Sequence, residues 1–98
     1  MVNVNIPVYL LEENDKMGRQ DSVYGVISVE PGKSILDLLK KVALSAPCAF
    51  KKVFDENGQL YRNIIIVRND QLINKSHIGL ITSEDNDEIE ILIQFAGG

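Results

Sequence analysis

Val2, Val4, Ile6, Val8 and Leu10 alternate with Asn3, Asn5, Pro7 and Tyr9. Successive side chains of a strand point to opposite faces, so this period of two predicts a half-buried strand. Pro7 has no amide for the ladder, which predicts an edge position or a bulge partway along. The polar stretch ENDKMGRQDS reads as a loop, and residues 22–29 as a second strand that forms a hairpin with the first. The period then changes. Ile35, Leu38, Leu39 and Val42 recur at helical spacing on one face. Ser34 is placed to cap that helix, with Asp37 three residues on as a short capping box whose charge favours the helix N-terminus. Lys40 and Lys41 suit the C-terminal end, and Pro47 stops the helix unless Ala46 has already done so.

Beyond the helix, KKVFDENGQLYRNIIIVRND reads as strand, turn and strand, with Asn57-Gly58 supplying the positive φ angles of a tight turn. Residues 64–67 are a continuous β-branched run, which predicts a central strand buried on both faces. Asn69-Asp70 turns the chain, and QLINKSHIGLI reads as a short strand followed by irregular or single-turn structure. SEDNDE is an acidic turn, and residues 88–95 form the last strand. The order is strand, strand, helix, then two or three strands. That is an α+β architecture with one main helix across a mixed sheet of four to five strands. If the first and last strands are neighbours in the middle of the sheet, they run parallel.

A chain of 98 residues fits one domain, and a hydrophobic fraction of 45% is enough for a modest core. Charged residues at 24% are well mixed, which argues against bulk disorder. The net charge of −4 argues against a nucleic-acid partner. The basic pair Lys51-Lys52 is followed by Asp55 and Glu56 and reads as a solvated strand end. One cysteine makes neither an internal disulfide nor a four-ligand zinc site. The N-terminal segment alternates and shows no basic stretch followed by a long apolar run, so neither a signal peptide nor a membrane span is expected. A reducing cytoplasm is the default. The sequon Asn74-Lys75-Ser76 would matter only in a secreted protein.

Candidate chemistry is scarce. His77 and Cys48 are the single histidine and thiol. A Cys–His nucleophilic pair is conceivable, but a small half-buried residue and a loop histidine are the simpler readings. No spacing suggests a metal site, a phosphate loop or a nucleophile elbow. Glu84, Asp85, Asp87 and Glu88 lack the spacing and central glycine of a calcium loop; a solvated turn is the better reading of them, and an acidic partner-binding rim the second. The terminal segment stands out. Ala96, Gly97 and Gly98 follow the most strand-like stretch of the chain. Glycine admits extended and left-handed conformations and close approach of other backbone, as passage through a narrow active site requires.

With those residues in view, the sequence resembles the ubiquitin-like β-grasp sulfur carriers of the MoaD and ThiS type, and its length is nearer the longer MoaD-like members. VNVNIPVYLLEE resembles the family's first strand, and EPGKSILDLLKKV its strand-to-helix junction. VFDENGQLYRNIIIVRND is similar to the hairpin of the longer members, and DNDEIEILIQFAGG to the closing acidic turn, apolar strand and Gly-Gly. The resemblance implies a single β-grasp domain over residues 1–98 with a flexible Gly-Gly segment at 96–98. It also implies a protein co-substrate, or the small non-catalytic subunit of a molybdopterin synthase, with no catalytic side chain, no bound cofactor and no metal. A ubiquitin-activating-type adenylyltransferase, MoeB- or ThiF-like, would use ATP to activate the carboxylate of Gly98. Gly97 and Ala96 would thread into its site, with Phe95 and Ile93 as docking residues. The resulting thiocarboxylate would supply sulfur to a molybdopterin synthase large subunit, or to a thiazole synthase or another sulfur metabolite. The same activation would serve a ubiquitin-like modifier joined through Gly98 to lysines of target proteins. A β-grasp interaction module with an incidental Gly-Gly is a third reading.

Overall fold

The alternating first segment forms β1 (Val2–Pro7), with Val2, Val4 and Ile6 fully buried. The structure, a computed structural model, describes residues 1–94. Five further strands follow: β2 (Arg19–Gln20), β3 (Tyr24–Val29), β4 (Ile64–Arg68), β5 (Gln71–Ile73) and β6 (Glu88–Ile93). They form one sheet in the order β2-β3-β1-β6-β4-β5, six strands where the sequence pattern suggests four to five. The extra strand is β2, a two-residue pairing against β3 inside the polar stretch read as a loop. β1 runs antiparallel to β3 and parallel to β6, so the first and last strands are central neighbours. β6 also pairs antiparallel with β4, and β4 with β5.

The main helix, α1 (Ile35–Ala43), crosses one face of the sheet. Its apolar stripe of Ile35, Leu38, Leu39 and Val42 shares a core with Val2, Val4, Ile6, Ile64, Ile66, Ile89 and Ile91. The Ser34 hydroxyl accepts from the Asp37 amide at 3.1 Å. Two further amides of the first turn, Ile35 and Leu36, donate to the Ile81 and Ile78 carbonyls at 2.8 and 3.0 Å. The free donors of the helix start are thus satisfied by the loop that precedes β6.

Four local expectations are corrected. Pro7 marks neither an edge nor a bulge: the β1–β3 register runs unbroken from Val2 to Pro7 in a central strand. Pairing of β1 with β6 covers only Asn3 to Asn5, so the missing amide lies beyond that ladder. The chain then turns away as a 3-10 helix (Val8–Leu10) that still buries Leu10. Pro47 opens a second helix, α2 (Pro47–Phe50), after α1 has already ended at Ala43. Proline suits a first helical position, where its missing amide costs nothing. The carboxylate of Asp15 accepts from the Cys48 and Ala49 amides at 2.9 and 3.0 Å, so the long β1–β2 loop caps α2.

The strand-turn-strand expected from Lys51 shrinks to one bridge, between Phe54 and Leu60. Burial of Phe50 and Val53 turns the chain before a strand can extend. The turn is where the sequence puts it, but of the Asn57-Gly58 pair Gly58 alone takes a positive φ, +77, and Asp55 accepts from the Asn57 and Gln59 amides. Finally, residues 64–67 bury one face only. Ile64 and Ile66 are in the core, whereas Ile65 and Val67 are half-buried, because no helix covers their side.

The turn before β6 is held by a buried carboxylate. Asp87 Oδ2 accepts from Arg68 Nε at 3.0 Å and from the Glu84 amide at 2.8 Å, and Oδ1 accepts from Asn69 Nδ2 at 2.9 Å. Burial alone would push this carboxyl up. The Glu84 amide, Asn69 and the Arg68 guanidinium together outweigh that effect and hold it below its ordinary value. Its contribution to stability is therefore present above the unfolded value of about 3.9 and is lost as pH falls through the lower folded value.

Replacing Asp87 with Ala is expected to cost about 3 kcal/mol at neutral pH, the low end for breaking a buried pair because Arg68 keeps some solvent. Urea denaturation measures this. With Asp87→Asn, the decline of stability below about pH 4 should be shallower than in the wild type. Ser34→Ala should cost about 1 kcal/mol, read from the same denaturation series.

Candidate functional site

β6 lies in the middle of the sheet, and the described chain leaves from its C-terminal end. The Gln94 amide donates to the Asn63 carbonyl at 2.7 Å, so the strand stays anchored to the turn before β4 one residue past Ile93. Phe95, Ala96, Gly97 and Gly98, a docking, two threading and the reactive position expected from the sequence, lie outside the described residues. Four residues span at most about 14 Å when fully extended. Any enzyme that takes up the carboxylate of Gly98 must therefore work within about that distance of Gln94. The surface around the end of β6 is thus the surface such a partner meets.

That surface has two faces. On the helix side, Ile91 is fully buried, and Ile93 is half-buried, packed on the core and paired with Ile64. Leu92, one residue along, faces the other way. The strand registers place Leu92 beside Ile65, and Val67 beside both Glu90 and Leu72, all on the side without a helix. Leu72 is 76% exposed, and Ile65, Val67 and Leu92 are half-buried. These four side chains make an apolar strip on the open face, next to the departure point of the chain. Such an exposed strip is the kind of feature that marks a contact site.

Polar groups border the strip toward β1 and β3. Glu90 accepts from the Tyr24 hydroxyl at 2.9 Å. Burial, then the hydrogen bond and charge of Glu90, push the Tyr24 hydroxyl up from its ordinary value, so it stays a neutral donor. Asn5, opposite Glu90, donates to the Ile89 carbonyl at 3.1 Å. Hydrogen bonds thus fix the border of the strip before any partner arrives.

Ile93 and Phe95 are the docking residues expected from the sequence; that Leu92, Ile65, Val67 and Leu72 share one open face is a feature of the structure. The alternation Glu88, Glu90, Leu92 carried a signal for Leu92. The others depend on the cross-strand registers, since the continuous apolar run at 64–67 by itself implies burial on both sides.

The remaining candidates serve local structure. Cys48 is half-buried in α2, where its amide is held by Asp15. His77 is exposed in the 3-10 helix Lys75–His77, and its amide donates to the Asn74 carbonyl at 2.9 Å. The acidic turn is divided. Asp87 points inward to Arg68 and Asn69. Asp85 pairs with the N-terminal ammonium, whose hydrogen bond and charge hold the carboxyl down. Among the described residues, no group of His, Cys, Asp and Glu side chains is arranged to hold a metal ion. A cleft of about 500 Å³ lies between residues 58–60 and 75–79. The charged side chain in its wall, Lys75, is engaged with main-chain carbonyls. No helix among the described residues is long and apolar enough to cross a membrane.

No protein-family model and no curated protein matches the chain. Solved structures do. SAMP1 from Haloferax volcanii superposes with a TM-score of 0.71 at 21% identity, over 99% of this chain and 98% of that one. A second structure, of H. volcanii small archaeal modifier protein 1, gives 0.70 at 19% identity, over 96% and 97%. Urm1 from Sulfolobus solfataricus gives 0.62 at 21% identity, over 93% and 97%. At these identities the likeness concerns architecture. The mixed sheet, the parallel central pair and the single main helix across one face are the ubiquitin-like β-grasp fold.

Proposed function

We propose that this protein is a sulfur carrier, a protein co-substrate whose reactive group is the carboxylate of Gly98. The observation that carries the reading is that Ala96-Gly97-Gly98 follow, in sequence, a central strand that is anchored through Gln94 and bordered by an open apolar strip. A carboxylate is a poor electrophile. A partner adenylyltransferase would let it attack the α-phosphate of ATP, forming an acyl adenylate and releasing pyrophosphate. Sulfide can then displace AMP to leave the thiocarboxylate. A persulfide can do the same, with a thiol cleaving the remaining S–S bond. Gly97 and Ala96 would pass through the partner's entrance, since a residue without a side chain lets other backbone come close. Leu92, Ile65, Val67 and Leu72 would dock the adenylyltransferase, with Phe95 at its mouth and Ile93 supporting the strand from the core side. A molybdopterin synthase large subunit is the first acceptor to test, and a thiazole synthase the second. Both place the protein in the cytoplasm.

A modifier joined through Gly98 to target lysines is the second reading. The names of the superposing structures favour it, since two are of a small archaeal modifier protein. Both readings share the adenylation step and diverge only in the nucleophile that follows.

Intact-mass analysis of the protein from its native host separates them. A species heavier by the sulfur-for-oxygen difference is the expected result. Gly98 found solely in isopeptide links to lysine would remove the carrier and leave the modifier. Deleting Gly97 and Gly98 should abolish function in vivo; survival of function would sink both. For docking, Leu72→Glu should raise KM for the carrier about tenfold in ATP–pyrophosphate exchange, with stability changed by less than about 0.5 kcal/mol at so exposed a position.

A further inference from the structure

The turn that receives the end of β6 is itself held by a lysine that follows the edge strand β5. Tyr61, Arg62 and Asn63 present three successive carbonyls just before β4. The first accepts from the Ile64 amide at 3.1 Å and from Lys75 Nζ, also at 3.1 Å. The second accepts from Lys75 Nζ at 2.6 Å. The third accepts from the Gln94 amide at 2.7 Å, the last backbone bond of β6. One ammonium therefore fastens the two carbonyls that precede the one anchoring Gln94.

Lys75 is itself fixed. It opens the 3-10 helix Lys75–His77, which Asn74 caps by accepting from the Ser76 amide at 3.0 Å and from the Ser76 hydroxyl at 2.8 Å. None of the ion pairs among the described residues involves Lys75. Its charge goes instead to main-chain oxygens. Hydrogen bonds from an ionised donor are stronger than neutral ones, and an ammonium can serve several acceptors at once.

We propose that Lys75 is a positioning residue that sets where the C-terminal segment leaves the domain. The proposal rests on the carrier reading, because the departure point matters only if Gly98 must reach an active site. With the brace in place, the described chain is anchored as far as Gln94. Without it, the Tyr61–Asn63 turn loosens, the Gln94 bond opens more often, and the last anchor retreats into β6. A longer stretch beyond the last anchor presents its end at a lower effective concentration to a docked partner. Chemistry at the carboxylate is unchanged once it arrives, so the loss falls on productive binding.

The test uses the full chain as wild type, Lys75→Met and Lys75→Arg. Amide hydrogen exchange of Gln94 should quicken about tenfold in Lys75→Met, while Ile91 in the centre of β6 is unaffected. ATP–pyrophosphate exchange with the adenylyltransferase should show KM for the carrier raised about fivefold with kcat unchanged. Lys75→Arg, which keeps a charged donor, should recover most of both. Unaltered Gln94 exchange in Lys75→Met overturns the proposal. So does a fall in kcat at constant KM, or an arginine variant no better than methionine. If Lys75→Met does not fold, Lys75→Gln, which retains a neutral donor, should give an intermediate Gln94 exchange rate, and a wild-type rate there counts against the brace. If the wild-type chain is not adenylated at all, the carrier reading fails and the functional role of Lys75 with it. The exchange data then still show whether the brace exists.

Discussion

Among the described residues, β6 is the strand that joins two halves of the sheet. On one side lie β2, β3 and β1, and on the other β4 and β5. The join is asymmetric: three residues pair parallel with β1 and five antiparallel with β4. Ile89 and Ile91 bring the apolar side of β6 fully into the core, so burial and hydrogen bonding act on the same strand. Both ends are clamped. Asp87 fastens the entry to Arg68 and Asn69, and the Asn63 carbonyl fastens the exit at Gln94. A one-residue slip would turn the Ile89 row to the open face and put Glu88 and Glu90 in the core, which strongly specifies the register.

The unequal covering of the two faces shapes the rest. α1 and the loops around it cover one side of the sheet. On the other side one row crosses the strands from edge to edge: Leu72, Val67, Glu90, Asn5, Val26 and Arg19, exposed at its two ends and buried at Val26. The apolar end of that row falls on β4 and β5, beside the exit of β6. The same architecture that buries β6 therefore leaves, next to its end, a strip that the domain does not need for its own core.

Local chemistry was legible wherever a few neighbouring residues decide the outcome. Ser34 caps α1 through the Asp37 amide, and its stripe is buried as the spacing implies. Gly58, Asn69 and Asp70 take the positive φ values that their turns need. Local pattern misleads where a distant segment intervenes. Asp15 creates the start of α2 from more than thirty positions away, as its bond to Cys48 has a sequence separation of 33. β2 exists because β3 offers an edge to polar residues that show no strand pattern of their own. Gly25 looks like a weak point in a strand, but a Cβ there would come within 2.7 Å of Met17 and 2.8 Å of Leu11, which fold back across it.

The sequence by itself determined the helix and its cap, the turn positions, the one-sided burial of β1, and the placing of two glycines after an apolar strand. These follow from periodicity and from residue-specific backbone preferences, which act over a few positions. Tertiary structure alone decided that Pro7 is tolerated in a central strand, that residues 64–67 have a solvent side, and that Leu72 and Leu92 share a face. It also decided that Lys75 reaches the turn where Gln94 is anchored. Each of these depends on which segments become neighbours. That is set by burying one common core, and a local pattern carries no record of the partner it will meet.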